Sequence, residues 1–544
     1  MKSIYKSLSV IGLVSAMTLT GCYDMDKLSM SDALTRQQKI DAAEANPALT
    51  RAGIAGIAAM FSTFGQVLGK DVHSDFGVPA LMLGLDCRGV DMVSRNIGYN
   101  WFRTFMTFGD CNVNSDMTNM AWNYYYRQIL ACNDAIGSIN ADSEDRTIQF
   151  YLAQALAMRA NAYFNLAQIY QFTYKGNEDK PCVMLITENN QDEVLANGCT
   201  RSSVAEIYAQ IDSDINRAVD LLTRSGLSPE KVIEAKPKRF ISLAAAHGLR
   251  ARINLVKQDW TAAAADAAEA IQLFAATGGS PLTLEQAARP GFNSIEAANW
   301  MWGIAIAETD PVTTTQIVNF PSHMGSLCYG YASVGAWRYV NRKLFDNIPD
   351  SDVRKGWFLD EQGYSPNLTE REQAYCSSKS MPPYVQVKFA PYQDVLGTTN
   401  NASDIPLMRV EEMYLIQAEA TAMAGGDGAS ILTDFVSRYR NPAYSFSGSG
   451  DDVREACFQQ RRVELFGEGL INFDYMRLNK DYDRVGGGFE PNYCFNIQAG
   501  SPVLIMPIPN SEINGNKLFL SSANNSPAPM PSPVQDVEYS VPLD

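Results

Sequence analysis

The chain has 544 residues, 46% of them apolar and 19% charged, so it can bury a sizeable core. The length allows roughly two to four domain-sized units or one large helical body. Sixty acidic residues against 44 basic ones leave a formal charge of −16. With no basic stripe to offset it, that balance excludes a nucleic-acid-binding surface.

The amino terminus sets the compartment. Lys2 and Lys6 precede a charge-free, mostly apolar run from Leu8 to Thr20. That length suits the core of a signal peptide and is short for a membrane span, so residues 1–21 are read as a signal peptide. The run ends in Leu19-Thr20-Gly21-Cys22, which resembles a bacterial lipobox. Cys22 is therefore the expected lipidation site, carrying palmitate-type acyl chains. Several such chains anchor stably at about 0.8 kcal/mol per buried methylene. Residues 22–45 are polar and read as the lipidated cysteine and its tether.

The region 46–280 carries mainly helical patterns. Ser203-x-x-Glu206 has the form of a capping box, in which serine and glutamate satisfy orphan backbone donors. Val204, Tyr208, Ile211, Ile215, Ala218 and Leu222 follow in steps of four and three, one stripe toward a core. Residues 151–170 form another strong helix rich in alanine. Residues 244–272 read as helix, a turn at Lys257-Gln258-Asp259, and helix, which resembles a tetratricopeptide hairpin. From 281 to 544, stretches rich in Gly, Asn, Ser and Pro alternate with short helices, and short strands are expected near 301–306 and 384–389. Trp300 and Trp302 alternate on one face of the first strand and are read as core. The expected fold class is mainly α: tetratricopeptide-like hairpins packed against a loop-rich region with a few short strands.

Catalytic signatures are missing. The three histidines, His73, His247 and His323, form no H-E-x-x-H, and there is no G-x-S-x-G. Gly65-x-x-x-Gly69-Lys70 is one residue short of a P-loop, with Asp71 in place of the hydroxyl. A glycosidase needs only two carboxylates about 5–9.5 Å apart, which a sequence with sixty acids does not refute. The nine cysteines besides Cys22 are scattered without a C-x-x-C pair, so neither a zinc finger nor a disulfide framework is expected. No cofactor is indicated. Calcium held by loop carboxylates is left open, without a motif for it.

Four passages resemble the SusD/RagB family, the nutrient-binding lipoproteins of Bacteroidetes. They are DIPLMRVEEMYLIQAEA (404–420), QQRRVELFGEGLINFDYMR (459–477), VLIMPIPNSEINGN (503–516) and the pair WNYYYRQILACN (122–133) with RANAYFNLAQIY (159–170). They occur in the family's order. The acidic Tyr23-Asp24-Met25-Asp26 after the lipobox is similar to a surface-export signal of the same bacteria. The resemblance implies about eight helices in tetratricopeptide-like pairs. It also implies an outer-membrane location facing the exterior and a SusC-like TonB-dependent transporter as partner. The expected activity is delivery of an oligosaccharide, with no enzymatic step. The alternatives are a peptide or other oligomer as cargo, a surface glycosidase, or a gate with weak affinity of its own. Arg409, Glu412, Arg462, Glu464 and Glu468 match the family's motifs and are read as scaffold ion pairs, because charges near packed helices need partners.

Sugar rings stack their apolar faces on aromatic side chains and present hydroxyls to polar groups at the rim. Two loop clusters fit. In residues 84–101, Asp86, Arg88, Asp91 and Asn96 are candidate hydroxyl partners, and Tyr99 and Trp101 candidate stacking platforms. The competing reading starts a buried segment at Trp101, continuing through Phe102, Phe105 and Phe108. In residues 323–337, Tyr329, Tyr331 and Trp337 form a candidate second wall, against which stands simple packing between loops.

Overall fold

The computed structural model describes residues 36–69, 72–233, 235–525 and 529–536. The signal peptide, Cys22 and the first part of the tether lie outside them. The second part of the expected tether is helical: Arg36–Ala45 forms a helix, followed by Pro47–Ala59, which Asn46 caps through Ala48 N–H at 3.3 Å.

Long helices build a curved stack. Asp116–Gly137 packs on Arg146–Tyr170, which packs on Val204–Ser225; Leu243–Lys257 and Trp260–Ala276 continue the series. The capping box at Ser203 and Glu206 forms as the spacing demands, and Gly226 ends that helix in the left-handed conformation. The Leu243–Lys257 and Trp260–Ala276 helices make the expected hairpin. Gln258 takes a left-handed φ of 60° at the turn, and Asp259 caps the second helix through Ala262 N–H. Small residues let the layers close. A Cβ on Gly248 would stand 2.5 Å from Met408 Sδ, so a larger residue at that crossing would force the methionine side chain aside.

The stack does not stop at residue 280. Trp260–Ala276 lies against Val410–Met423, which also contacts Gly428–Tyr439 and Asp451–Glu464. The change of texture at 281 is thus a change from long helices to loops, laid over one continuous core. Strands are few among the described residues. Trp300–Ile304 pairs antiparallel with Ile405–Arg409, and all five residues of the first strand are buried, Trp300 and Trp302 included. Residues 384–389 make only isolated bridges. Met92–Val93 pairs antiparallel with Tyr339–Val340.

The motif charges are buried and paired. Glu464 accepts from Arg409 Nη1 at 2.9 Å, Arg440 Nε at 2.7 Å and Arg354 Nη1 at 3.2 Å. Glu468 is held by Arg409 at 2.8 Å and Lys388 at 2.7 Å. A second set joins Arg252 to Glu412 and Asp474 to Arg461 and Arg477. Burial alone would raise the pKa of Glu464, but Arg440, Arg409 and Arg354 hold it well below the usual carboxylate range. These pairs draw strand, helix ends and loops from distant parts of the sequence to one point. The nine cysteines of the described residues are all free.

Removing one partner of a buried ionic group leaves uncompensated charge. Glu464→Gln should therefore lower stability by about 3–5 kcal/mol, read from the urea midpoint at constant slope. An unchanged midpoint would mean that the three arginines find their counter-charge elsewhere.

Candidate functional site

The antiparallel register Met92↔Val340, Val93↔Tyr339 decides where the two candidate loops go. Residues after Val93 must run beside residues before Tyr339, so the segments around 94–101 and 329–338 share one face. Asn100 locks the turn. Its Nδ2 donates to Arg95 O at 2.8 Å, and its Oδ1 accepts from Phe102 N at 3.2 Å and Arg338 Nη1 at 3.1 Å.

The face is an aromatic platform. Tyr99 is 55% exposed, Trp101 41% and Tyr329 43%. Trp101 stacks on His73, with centroids 4.4 Å apart and planes inclined by 11°. Tyr331 lies beneath, 6.0 Å from Tyr99 in a stacked arrangement and 4.8 Å from His323. Tyr331 Oη and His73 Nδ1 share a hydrogen bond of 2.5 Å, and His323 Nε2 donates to the His73 carbonyl at 3.1 Å. Burial lowers the pKa of His73. Burial, and then Arg338, pushes His323 well below the ordinary imidazole range. Both rings are neutral supports at physiological pH. Beside Trp101 opens a groove of about 720 Å³, lined among others by Ser74, Arg103, Asn112, Asn114 and Asp116. The arrangement offers flat apolar faces next to polar rims, which suits reversible binding of a ring with hydroxyl groups. Among the described residues, no three His, Cys, Asp or Glu side chains are grouped to hold a metal ion.

Several expected ligand contacts are instead part of the framework. Asp86 and Arg88 belong to the Val78–Arg88 helix and are buried. Asp86 accepts from Gly469 N at 2.9 Å, while Arg88 pairs with Asp110 and donates to the Val503 carbonyl. Asp91 is buried against Arg462 at 2.6 Å. Each of these buried polar groups is engaged by the protein itself, so none faces a ligand. Trp337 is also buried, packed with Val93, Leu327 and Leu359. Asn96 is exposed, and its backbone N–H donates to Glu490 at 3.0 Å. Phe102, Phe105 and Phe108 are wholly buried, so the buried segment starts one residue after Trp101. His73, Arg103, Asn112 and Asn114 were not singled out by sequence. Asn112 and Asn114, in a polar turn right after the aromatic run, carried the one signal that could have found them.

The comparisons with known proteins agree with this architecture. A family model described as "Starch-binding associating with outer membrane" (SusD-like) matches residues 85–255, and the "SusD family" model matches residues 359–521; together they span more than half of the chain. The chain belongs to the SusD/RagB family. A SusD-like carbohydrate binding protein from Bacteroides vulgatus aligns with a TM-score of 0.71 at 23% identity, over 91% of this chain and 99% of its own. A SusD superfamily protein from Bacteroides thetaiotaomicron gives a TM-score of 0.68 at 20% identity, over 88% and 99%. The surface glycan-binding protein A of Bacteroides thetaiotaomicron, solved in complex with laminarihexaose, gives 0.62 at 15% identity, over 86% and 98%. No curated protein matches the chain in sequence.

Asp86 provides a pH test of the framework beside the platform. Burial pushes its pKa up to about 8, against the opposing hydrogen bond from Gly469. A carboxyl whose pKa is raised on folding stabilises below its unfolded pKa and loses that contribution as pH rises through the folded value. The stability of wild type relative to Asp86→Asn should thus fall between pH 4 and 8, by up to about 5 kcal/mol at about 1.4 kcal/mol per pH unit. A difference that stays flat across that range would show that Asp86 ionises as an ordinary carboxylate.

Proposed function

We propose that the protein is a cell-surface lipoprotein that binds oligosaccharide on the Tyr99–Trp101–Tyr329 platform and passes it to a SusC-like TonB-dependent outer-membrane transporter. The observation that carries the reading is an aromatic stack left open to solvent although Tyr331 and His323 beneath it are buried and His73 is half-buried. Tyr99, Trp101 and Tyr329 keep large apolar faces exposed, and His73 and Tyr331 brace them from below. Exposed, pre-positioned aromatics cost stability unless a ligand covers them. Relatives described as carbohydrate binding, or solved with laminarihexaose, favour a sugar over a peptide. The family model's outer-membrane description and the lipobox at Cys22 favour a lipid anchor at that membrane. The protein acts by binding, with no chemical step of its own.

Calorimetry on the detergent-solubilised full chain, titrated with a panel of oligosaccharides and with a peptide digest, tests this reading. A saturable signal with a glycan is expected. Tyr99→Ala and Trp101→Ala should each weaken it by about tenfold, near 1.4 kcal/mol, without moving the melting temperature. Binding of peptides with silence across the glycans would sink the sugar assignment. Reducing ends released from polysaccharide would point to a glycosidase. The anchor is tested separately: Cys22→Ser should abolish palmitate labelling and move the protein out of the membrane fraction, and retained labelling would rule out Cys22 as the lipid site.

A further inference from the structure

Nine arginines are buried among the described residues. Seven have a carboxylate partner: Arg88, Arg159, Arg354, Arg409, Arg440, Arg461 and Arg477. The two without one, Arg338 and Arg484, both lie under the platform. Arg338 donates through Nε to the His323 carbonyl at 2.9 Å and through Nη1 to Asn100 at 3.1 Å, while its Nη2 is buried without a partner. Arg484 donates only to carbonyls: Gly89 at 3.1 Å, Met106 at 2.7 Å, Tyr493 at 3.0 Å and Arg88 at 2.8 Å. Met106 Sδ in turn accepts from Asn100 Nδ2 at 3.1 Å, so Arg338 directly, and Arg484 through Met106, are linked to Asn100, the residue before Trp101.

In a chain of net charge −16, two buried cations without counter-ions in one place are a local reversal of sign. Carbonyl dipoles solvate them but do not neutralise them. Their field is weakly screened by salt because they lie in the interior, and a low-dielectric wall focuses it into the adjoining cleft. Exposed Arg103 on the groove wall adds to it. The carboxylates nearby are Asp91 and Asp110, already paired with Arg462 and Arg88, and Asp86, which burial favours in the neutral form. The others are Asp483 and Asp536 around Cys494, Asp116 on the groove, and Glu490, which accepts from Asn96 N. The two neutral histidines add no charge of either sign.

Resting on the reading that this platform takes an oligosaccharide, we infer that the oligosaccharide is acidic, bearing carboxylate or sulfate groups that supply the counter-charge Arg338 and Arg484 lack. The aromatic faces hold the rings, and the positive floor and Arg103 select the anionic substituent. Electrostatic complementarity of this kind sets specificity more than total affinity.

The test is calorimetry on the full chain in detergent with a hexagalacturonate, a chondroitin sulfate hexasaccharide, their carboxyl-reduced and desulfated counterparts, and neutral maltohexaose and laminarihexaose. The expected result is that one acidic probe binds at least about tenfold more tightly than its neutralised counterpart. That preference should shrink several-fold between about 20 mM and about 500 mM NaCl, and in Arg103→Gln, whose exposed position leaves folding intact. Whichever acidic probe binds identifies the group. Equal binding of acidic and neutralised probes, or tightest binding of a neutral glucan, with loss in Trp101→Ala, would overturn the acidic assignment and leave the glycan platform standing. Silence with every glycan would overturn both.

Discussion

The burial of Glu464 between Arg409, Arg440 and Arg354 is the constraint on which the rest of the protein depends. Each of these charges is costly to remove from water, and each is tolerable only because the others are there. The arginines come from a strand end, a helix end and a short 3-10 helix. Satisfying one carboxylate therefore draws three chain segments to the end of a fourth. Glu468, one turn further on, adds Lys388 to the same knot. A packed apolar core could supply equal stability, but it would not dictate which loop meets which helix with the same geometric strictness.

The same device, repeated nearer the surface, makes the platform rigid. Arg462 holds Asp91 just before the short strand that sets the loop register, Arg88 ties the preceding helix to the Val503 carbonyl, and Arg484 holds the Met106 carbonyl after the loop. The aromatic rings above can then stay exposed without collapsing inward, because these side-chain hydrogen bonds hold the backbone beneath them. Binding on such a surface requires little ordering of the protein when the ligand arrives. Structure and recognition are linked through the arginines that lack carboxylates: they serve the fold through backbone carbonyls and leave their charge for the cleft.

Much of this was legible along the chain. The helical hairpin read at 244–272 and the capping box at Ser203 follow from local periodicity and capping chemistry, and the scaffold role of Arg409, Glu464 and Glu468 follows from the family resemblance together with the high cost of unpaired buried charge. Tyr99, Trp101 and Tyr329 were picked out as aromatics in loops rich in polar residues and glycine, and they are exposed. Asp86, Arg88 and Asp91 were misread as ligand contacts because the same loop-like composition surrounds them. Their partners, Gly469, Asp110 and Arg462, lie 22 to nearly 400 residues away in sequence, where no local pattern could reveal them.

The amino-acid sequence by itself determined the helical class, the capping box at Ser203, the hairpin turn at residues 257–259 and the need for buried ion pairs, since these follow from side-chain periodicity and charge within a few turns of chain. Only the tertiary structure decided which charged groups face one another and that the 94–101 and 329–338 loops form one surface. It also decided that His73 supports Trp101 and that Arg338 and Arg484 go without counter-ions. Those outcomes depend on contacts between residues hundreds of positions apart, and such contacts are set by the packing of the whole core.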